Sequence, residues 1–165
     1  RMGFSHVETG FVVAIPYLVS MVAMIAWGRS SDRLGERVWH VALPALLGAA
    51  GFAAAGLVPG NVAALFAITF GAVGIYAALA PFWALPSMFL GGTAAAGGIA
   101  LINAVGNLGG FAGPYLIGWL GEKSGSYDAG LGALAAGLAV AAVVVLAMVR
   151  TVPARARPAP WRRPG

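Results

Sequence analysis

The side chains that could do chemistry in this sequence are few, and their types exclude most reactions at once. There is no cysteine, which removes disulfides, thiolate metal sites and thiol nucleophiles. Only His6 and His40 represent histidine, too few for a multi-histidine metal centre. The acids are Glu8, Asp32, Glu36, Glu122 and Asp128; Glu8 stands in the N-terminal segment and the other four are expected in loops. No acid pair, metal-binding cluster or Ser/His arrangement stands where a membrane-embedded enzyme would need one. Neither catalysis nor a cofactor is expected.

What remains is a polar and aromatic minority set in apolar sequence. Asn103 and Asn107 are four apart, and Gly110 and Pro114 continue the same helical face. An amide in hydrocarbon must find partners, either on another helix or on a ligand in a wet cavity. Asn107 is expected to face a neighbouring helix more than a ligand. Tyr76, Ala80 and Trp83 share another face, where Trp83 reads either as an interfacial belt residue or as a ring that stacks on a ligand. Trp27, Trp119 and Trp161 read as interface or tail residues.

One charged stretch has a recognisable grammar. It runs Gly28-Arg29-Ser30-Ser31-Asp32-Arg33-Leu34-Gly35-Glu36-Arg37. Gly35 supplies a sharp turn between antiparallel helices. Asp32 is placed to cap the next helix and to pair with an arginine, a contact that can be made and broken as helices rock. Glu36 beside Arg37 suggests a local Glu–Arg pair. Gly28, Asp32, Arg33, Gly35 and Arg37 are therefore candidates for a conformational gate, against the plainer reading of a solvated loop.

The elements that must position these residues follow from composition. Of 165 residues, 60% are hydrophobic and 9% charged, and from Val38 to Gly121 there is no Asp, Glu, Lys or Arg. The mean hydropathy is +0.87. A soluble domain carries about 25% charged residues, so soluble, disordered and coiled-coil classes are excluded. A hydrocarbon core about 30 Å thick needs roughly 20 helical residues. Five stretches qualify, at residues 10–27, 38–57, 62–81, 95–120 and 129–149, separated by segments 28–37, 58–61, 82–94 and 121–128. The runs are continuously apolar rather than alternating, which argues against barrel strands. The fold class is all-α, a polytopic membrane helix bundle.

Charge sets the orientation. The net charge is +5, but a basic tail beside an apolar span reads as a topology signal, and no nucleic-acid partner is expected. Arg29, Arg33 and Arg37 share a face of the membrane with Arg150, Arg155, Arg157, Arg162 and Arg163, whereas segment 121–128 holds only Lys123 among basic residues. The positive-inside rule makes that face cytoplasmic, with the C-terminus on it. Residues 151–165 are rich in proline and arginine and read as a disordered basic tail. Small-xxx-small pairs at Gly106/Gly110, Gly109/Gly113 and Ala49/Ala53 suggest close helix contacts, and Pro16, Pro44 and Pro114 suggest kinks. The chain opens on Arg1 without an apolar leader, and a fragment of a longer protein is expected.

At this level the sequence resembles the major facilitator superfamily. Gly28-x-x-x-Asp32-Arg33-x-Gly35 is similar to that superfamily's cytoplasmic loop signature, with Glu36 where a basic residue is usual. A finer likeness is to its anion:cation symporter family, which includes tartrate, phthalate and sugar-acid transporters. It rests on Thr9-Gly10-Phe11, Pro16-Tyr17-Leu18, Trp27-Gly28, Glu36-Arg37 and His40, then Pro81-Phe82-Trp83-Ala84-Leu85-Pro86-Ser87, and most specifically on the stretch from Ala100 to Pro114. The resemblance covers nearly all of residues 1–150 and implies helices eight to twelve of a twelve-helix fold. It implies a plasma (inner) membrane transporter of small organic anions coupled to protons or sodium, working by alternating access. It also implies substrate contacts at Trp83 and Asn103, with Tyr76 and Asn107 on the same faces. The coupling carboxylates and substrate arginines would then belong to a missing N-terminal half. The rival reading is a truncated membrane scaffold or assembly subunit that transports nothing.

Overall fold

The computed structural model describes residues 5–151. They form five helices and, among the described residues, no strand: α1 (His6–Leu34), α2 (Val38–Ala55), α3 (Asn61–Phe89), α4 (Gly92–Ser124) and α5 (Asp128–Thr151). All five are long and apolar enough to cross a membrane. The expected basic tail from residue 152 onward lies outside the described residues.

Local chemistry explains the boundaries. Ser5 opens α1 with a capping box, its Oγ accepting from the Glu8 N–H while the Glu8 carboxylate accepts from the Ser5 N–H. Gly35, at φ 63°, ends α1 in a left-handed turn that a side chain would strain. Asp128 starts α5 just after the left-handed Gly125.

Three expected loops are shorter than hydropathy suggested. Helix α1 runs to Leu34, so Gly28, Asp32 and Arg33 are helical, and α4 reaches Ser124. The expected separator 82–94 is mostly helix too: α3 continues through Pro81 and Pro86 to Phe89, and only Leu90 and Gly91 stand before α4. Hydropathy marks where the hydrocarbon ends, whereas backbone hydrogen bonding continues into the interface. At 29, 29 and 33 residues, α1, α3 and α4 exceed the roughly 20 that a bilayer needs. Proline within a membrane helix removes one hydrogen bond and leaves the rest of the ladder intact.

Helices α2 and α3 form the central pair; α5 packs on α2, α1 packs on α3, and α1 and α2 scarcely touch except near their junction. The α2–α3 crossing is a backbone contact made by glycines. A Cβ on Gly74 would lie 2.5 Å from the Gly48 backbone and the Pro44 carbonyl, and one on Gly51 would lie 2.5 Å from the Gly71 nitrogen. Around it Val41, Ala78, Leu85 and Val145 form one apolar cluster, and Ala49, Phe52 and Ala135 another. Of the expected small-residue pairs, Ala49 is packed, but Ala53 is exposed and Gly106, Gly109, Gly110 and Gly113 face open space. The close approach falls at glycines on α2 and α3 because those helices are central, whereas α4 lies lightly against α3 and α5 with no buried residue.

Candidate functional site

The α1–α2 elbow is the most highly bonded region. Its buried centre is Ser31, whose Oγ donates to the Glu36 carbonyl at 2.6 Å and accepts from Arg37 Nη1 at 2.9 Å. The same Nη1 reaches Asp32 Oδ1 at 2.6 Å. Arg37, half-buried, is thus held by one buried and one exposed partner. The expected Asp32–arginine pair is present. Capping falls instead to Glu36, whose carboxylate accepts from the N–H groups of Trp39 and His40 at 2.8 and 3.1 Å. The expected Glu36–Arg pair is replaced by one to His40 Nδ1 at 2.9 Å, because Arg37 is turned toward α1. Arg33 makes no ion pair among the described residues.

His40, which sequence reasoning used only as part of a resemblance, is buried at the centre of a second set of contacts. Its Nε2 lies 3.2 Å from Ser30 Oγ, and its carbonyl accepts from Trp27 Nε1–H at 2.8 Å. The Trp27 and His40 rings sit 5.0 Å apart at 50°. Partial burial by itself pushes the Glu36 carboxyl up, but the Trp39 N–H, the His40 ring and the His40 N–H outweigh it and hold Glu36 below its ordinary value. The spacing of Trp27, Ser30 and Ser31 along one helical face was a usable signal for this cluster.

The proposed substrate residues are more dispersed. Tyr76 is half-buried on α3, edge-on to Tyr17 of α1 at 6.0 Å. Trp83 is half-buried two turns from the end of α3 and edge-on to Phe82 at 5.3 Å. Asn103 and Asn107 are exposed on α4, and neither amide has a hydrogen-bond partner among the described residues. Among the described residues both are equally uncovered, so the expected contrast, with Asn107 against a neighbouring helix, does not show there. No hydrogen bond joins Trp83 to Asn103, but they flank the short Leu90–Gly91 link, Trp83 seven residues before it and Asn103 twelve after it.

A cleft of about 330 Å³ opens between α1, α2 and α3, lined by residues that include Ala23, Trp27, Pro44, Leu47, Phe70 and Gly74. None of Tyr76, Trp83, Asn103 or Asn107 lines it. A solute site needs convergent polar groups, and this apolar lining offers a carboxylate nothing.

The family model of the Major Facilitator Superfamily matches residues 1–165. The chain belongs to this superfamily. It is 46% identical over 153 residues to a "Putative tartrate transporter" of Agrobacterium vitis, a match that takes in 93% of this chain and 34% of that protein. A second Agrobacterium vitis protein of the same name is 44% identical over 153 residues, covering 93% and 35%. A "Quinolone resistance transporter" of Acinetobacter baumannii is 42% identical over 129 residues, covering 78% and 30%. The chain therefore spans about a third of the length of these relatives. No solved structure gives a significant match. Within the superfamily, the stretch from Gly28 to Gly35 is the loop signature seen in the sequence, here folded as the end of α1 and its glycine cap.

Proposed function

We propose that this chain is the C-terminal part of a secondary transporter that moves small organic anions, carboxylates such as sugar acids or dicarboxylates, by alternating access. The observation that carries this reading is the 46% identity, across 93% of the chain, to the Agrobacterium vitis protein named "Putative tartrate transporter". The uncovered Asn103 and Asn107 amides support it, since they offer donors and acceptors without a fixed charge. Trp83 supplies an apolar face and one N–H. The arginines at the elbow, Arg29, Arg33 and Arg37, favour placing that end and the C-terminus in the cytoplasm of a cell bounded by this inner membrane. The remaining partners are the bilayer, a coupling proton or sodium ion, and an N-terminal half that completes the cavity between repeats.

Uptake of labelled tartrate, sugar acids and aromatic acids by the complete gene product carrying this sequence is the test. Saturable uptake of one such anion, suppressed by unlabelled dicarboxylates, is expected. Transport confined to neutral or cationic solutes would overturn the substrate class. Correctly inserted protein that moves no solute would favour the scaffold reading.

A further inference from the structure

We infer that His40 is a proton-binding site that latches α1 to α2 above the apolar cleft. The groups around its ring are an unusual set for a buried imidazole. Glu36 Oε2 stands 2.9 Å from Nδ1, Ser30 Oγ stands 3.2 Å from Nε2, and the Trp27 ring lies 5.0 Å away. A carboxylate, a hydroxyl oxygen and an aromatic face all accept positive charge. Histidine is the side chain whose charge changes closest to neutral pH, so this cage is suited to gain and lose a proton in use.

The bonds differ between the two charge states. With His40 neutral, Nδ1–H donates to Glu36 and Nε2 accepts the Ser30 O–H. With His40 protonated, both nitrogens donate: the Glu36 contact becomes an ion pair and Ser30 becomes the acceptor. Charge-assisted hydrogen bonds are roughly twice as strong as neutral ones, so protonation tightens the Ser30–His40 contact, which joins α1 to α2, and ties His40 to Glu36 in the link between them. Among the described side chains, no other charged group bonds the His40 ring. Arg37, the nearest cation in sequence, is engaged by Asp32 and Ser31. Arg29 and Arg33 are exposed on α1. Helix α3 contains no Asp, Glu, Lys, Arg or His, and on α5 Asp128 starts the helix at the end remote from the elbow, while Arg150 falls five residues after the Val145 that packs on Val41.

What the latch holds is also defined. Trp27 belongs to both sites: its Nε1–H bonds the His40 carbonyl, and its ring lines the cleft. Beyond the elbow α1 and α2 scarcely touch, and the cleft between them over α3 leaves α1 room to tilt. Next to Trp27, Gly28 lets α1 ride close on α3, where a Cβ would lie 3.3 Å from Ala80 Cβ. A proton on His40 therefore favours the closed wedge. This holds whichever solute is carried.

Thiol accessibility tests it without substrate. In the complete gene product, made cysteine-free outside this chain, which has none of its own, Ala23→Cys places a thiol in the cleft. Labelling by a small membrane-permeant reagent, corrected for the reagent's own pH dependence with an exposed Leu57→Cys reference, is followed from about pH 8 to about pH 5. The expected result is a fall in relative labelling of about five- to tenfold toward low pH, abolished by His40→Gln at the high-pH level. Ser30→Ala, which keeps the helix, removes the α1 partner of the imidazolium and should shrink the low-pH fall in labelling. A flat parent profile, a profile unchanged by His40→Gln, or an undiminished fall in Ser30→Ala overturns the latch. Lost uptake with this titration intact would overturn the transport reading alone.

Discussion

At the scale of single residues, the elbow gives Arg37 one exposed partner and one buried one. The Arg37–Asp32 pair involves a carboxylate that is 69% exposed, and exposed pairs contribute from nothing to about 1 kcal/mol. Under the proposed alternating access, such a contact is weak enough to break in each cycle. The Arg37–Ser31 bond is partly buried and made to a fully buried hydroxyl. Asp32→Asn should therefore slow transport while leaving equilibrium substrate affinity nearly unchanged, as read from uptake in vesicles and ligand binding in detergent. A large loss of binding with turnover preserved would reverse that assignment. Under the proposed function Asn103 meets the solute, because its exposed amide has no hydrogen-bond partner among the described residues. Losing one neutral hydrogen bond costs about 0.5–1.5 kcal/mol, so Asn103→Ala should weaken binding by up to about tenfold. Unchanged affinity with a lowered melting temperature would make Asn103 a packing residue.

At the scale of elements, the glycines divide by location rather than by motif. Gly106, Gly109, Gly110 and Gly113 on α4 have the spacing of a packing motif, yet their faces are open, while Gly48, Gly51, Gly71 and Gly74 on α2 and α3 hold two backbones in contact. Spacing shows that a close approach is possible; only the neighbouring helix decides whether it occurs. Gly74→Ala puts a methyl 2.5 Å from the Gly48 backbone, so the two helices must separate, at a cost of about 1–3 kcal/mol. Gly106→Ala meets nothing and replaces a poor helix former, so it should be neutral or stabilising by up to about 1 kcal/mol. Thermal unfolding of the two variants in one detergent checks the contrast; equal losses would refute the assigned crossing. The span count, the glycine turn at Gly35 and the Asp32 pairing were legible in sequence because they rest on hydropathy, φ and charge. The helical course past Pro81 and Pro86 was not, since proline and the lack of charge point in opposite directions there. Of the His40 cluster, only the shared helical face of Trp27, Ser30 and Ser31 could be read in sequence, because they meet His40 only once α1 has turned into α2.

At the scale of the whole molecule, α4 poses a physical problem that predicts its surroundings. It is a 33-residue helix with no buried residue, and it carries Asn103 and Asn107 in the middle of its apolar length. An unpaired amide in hydrocarbon costs several kcal/mol, so that face cannot stay against lipid. Asn103, Asn107, Gly110 and Pro114 lie along one side, whereas Leu101, Val105 and Leu108 repeat at helical spacing on the other. If the Asn side lines the solute path, water reaches it in at least part of the cycle and the Val105 side remains dry. In the complete gene product, a charged thiol reagent should label Asn103→Cys, and added substrate should slow it. Val105→Cys should label slowly and without response to substrate. Equal protection of both positions would mean that protein covers α4 on every side. The two amides would then join helices, and the solute path would have to run elsewhere in the molecule.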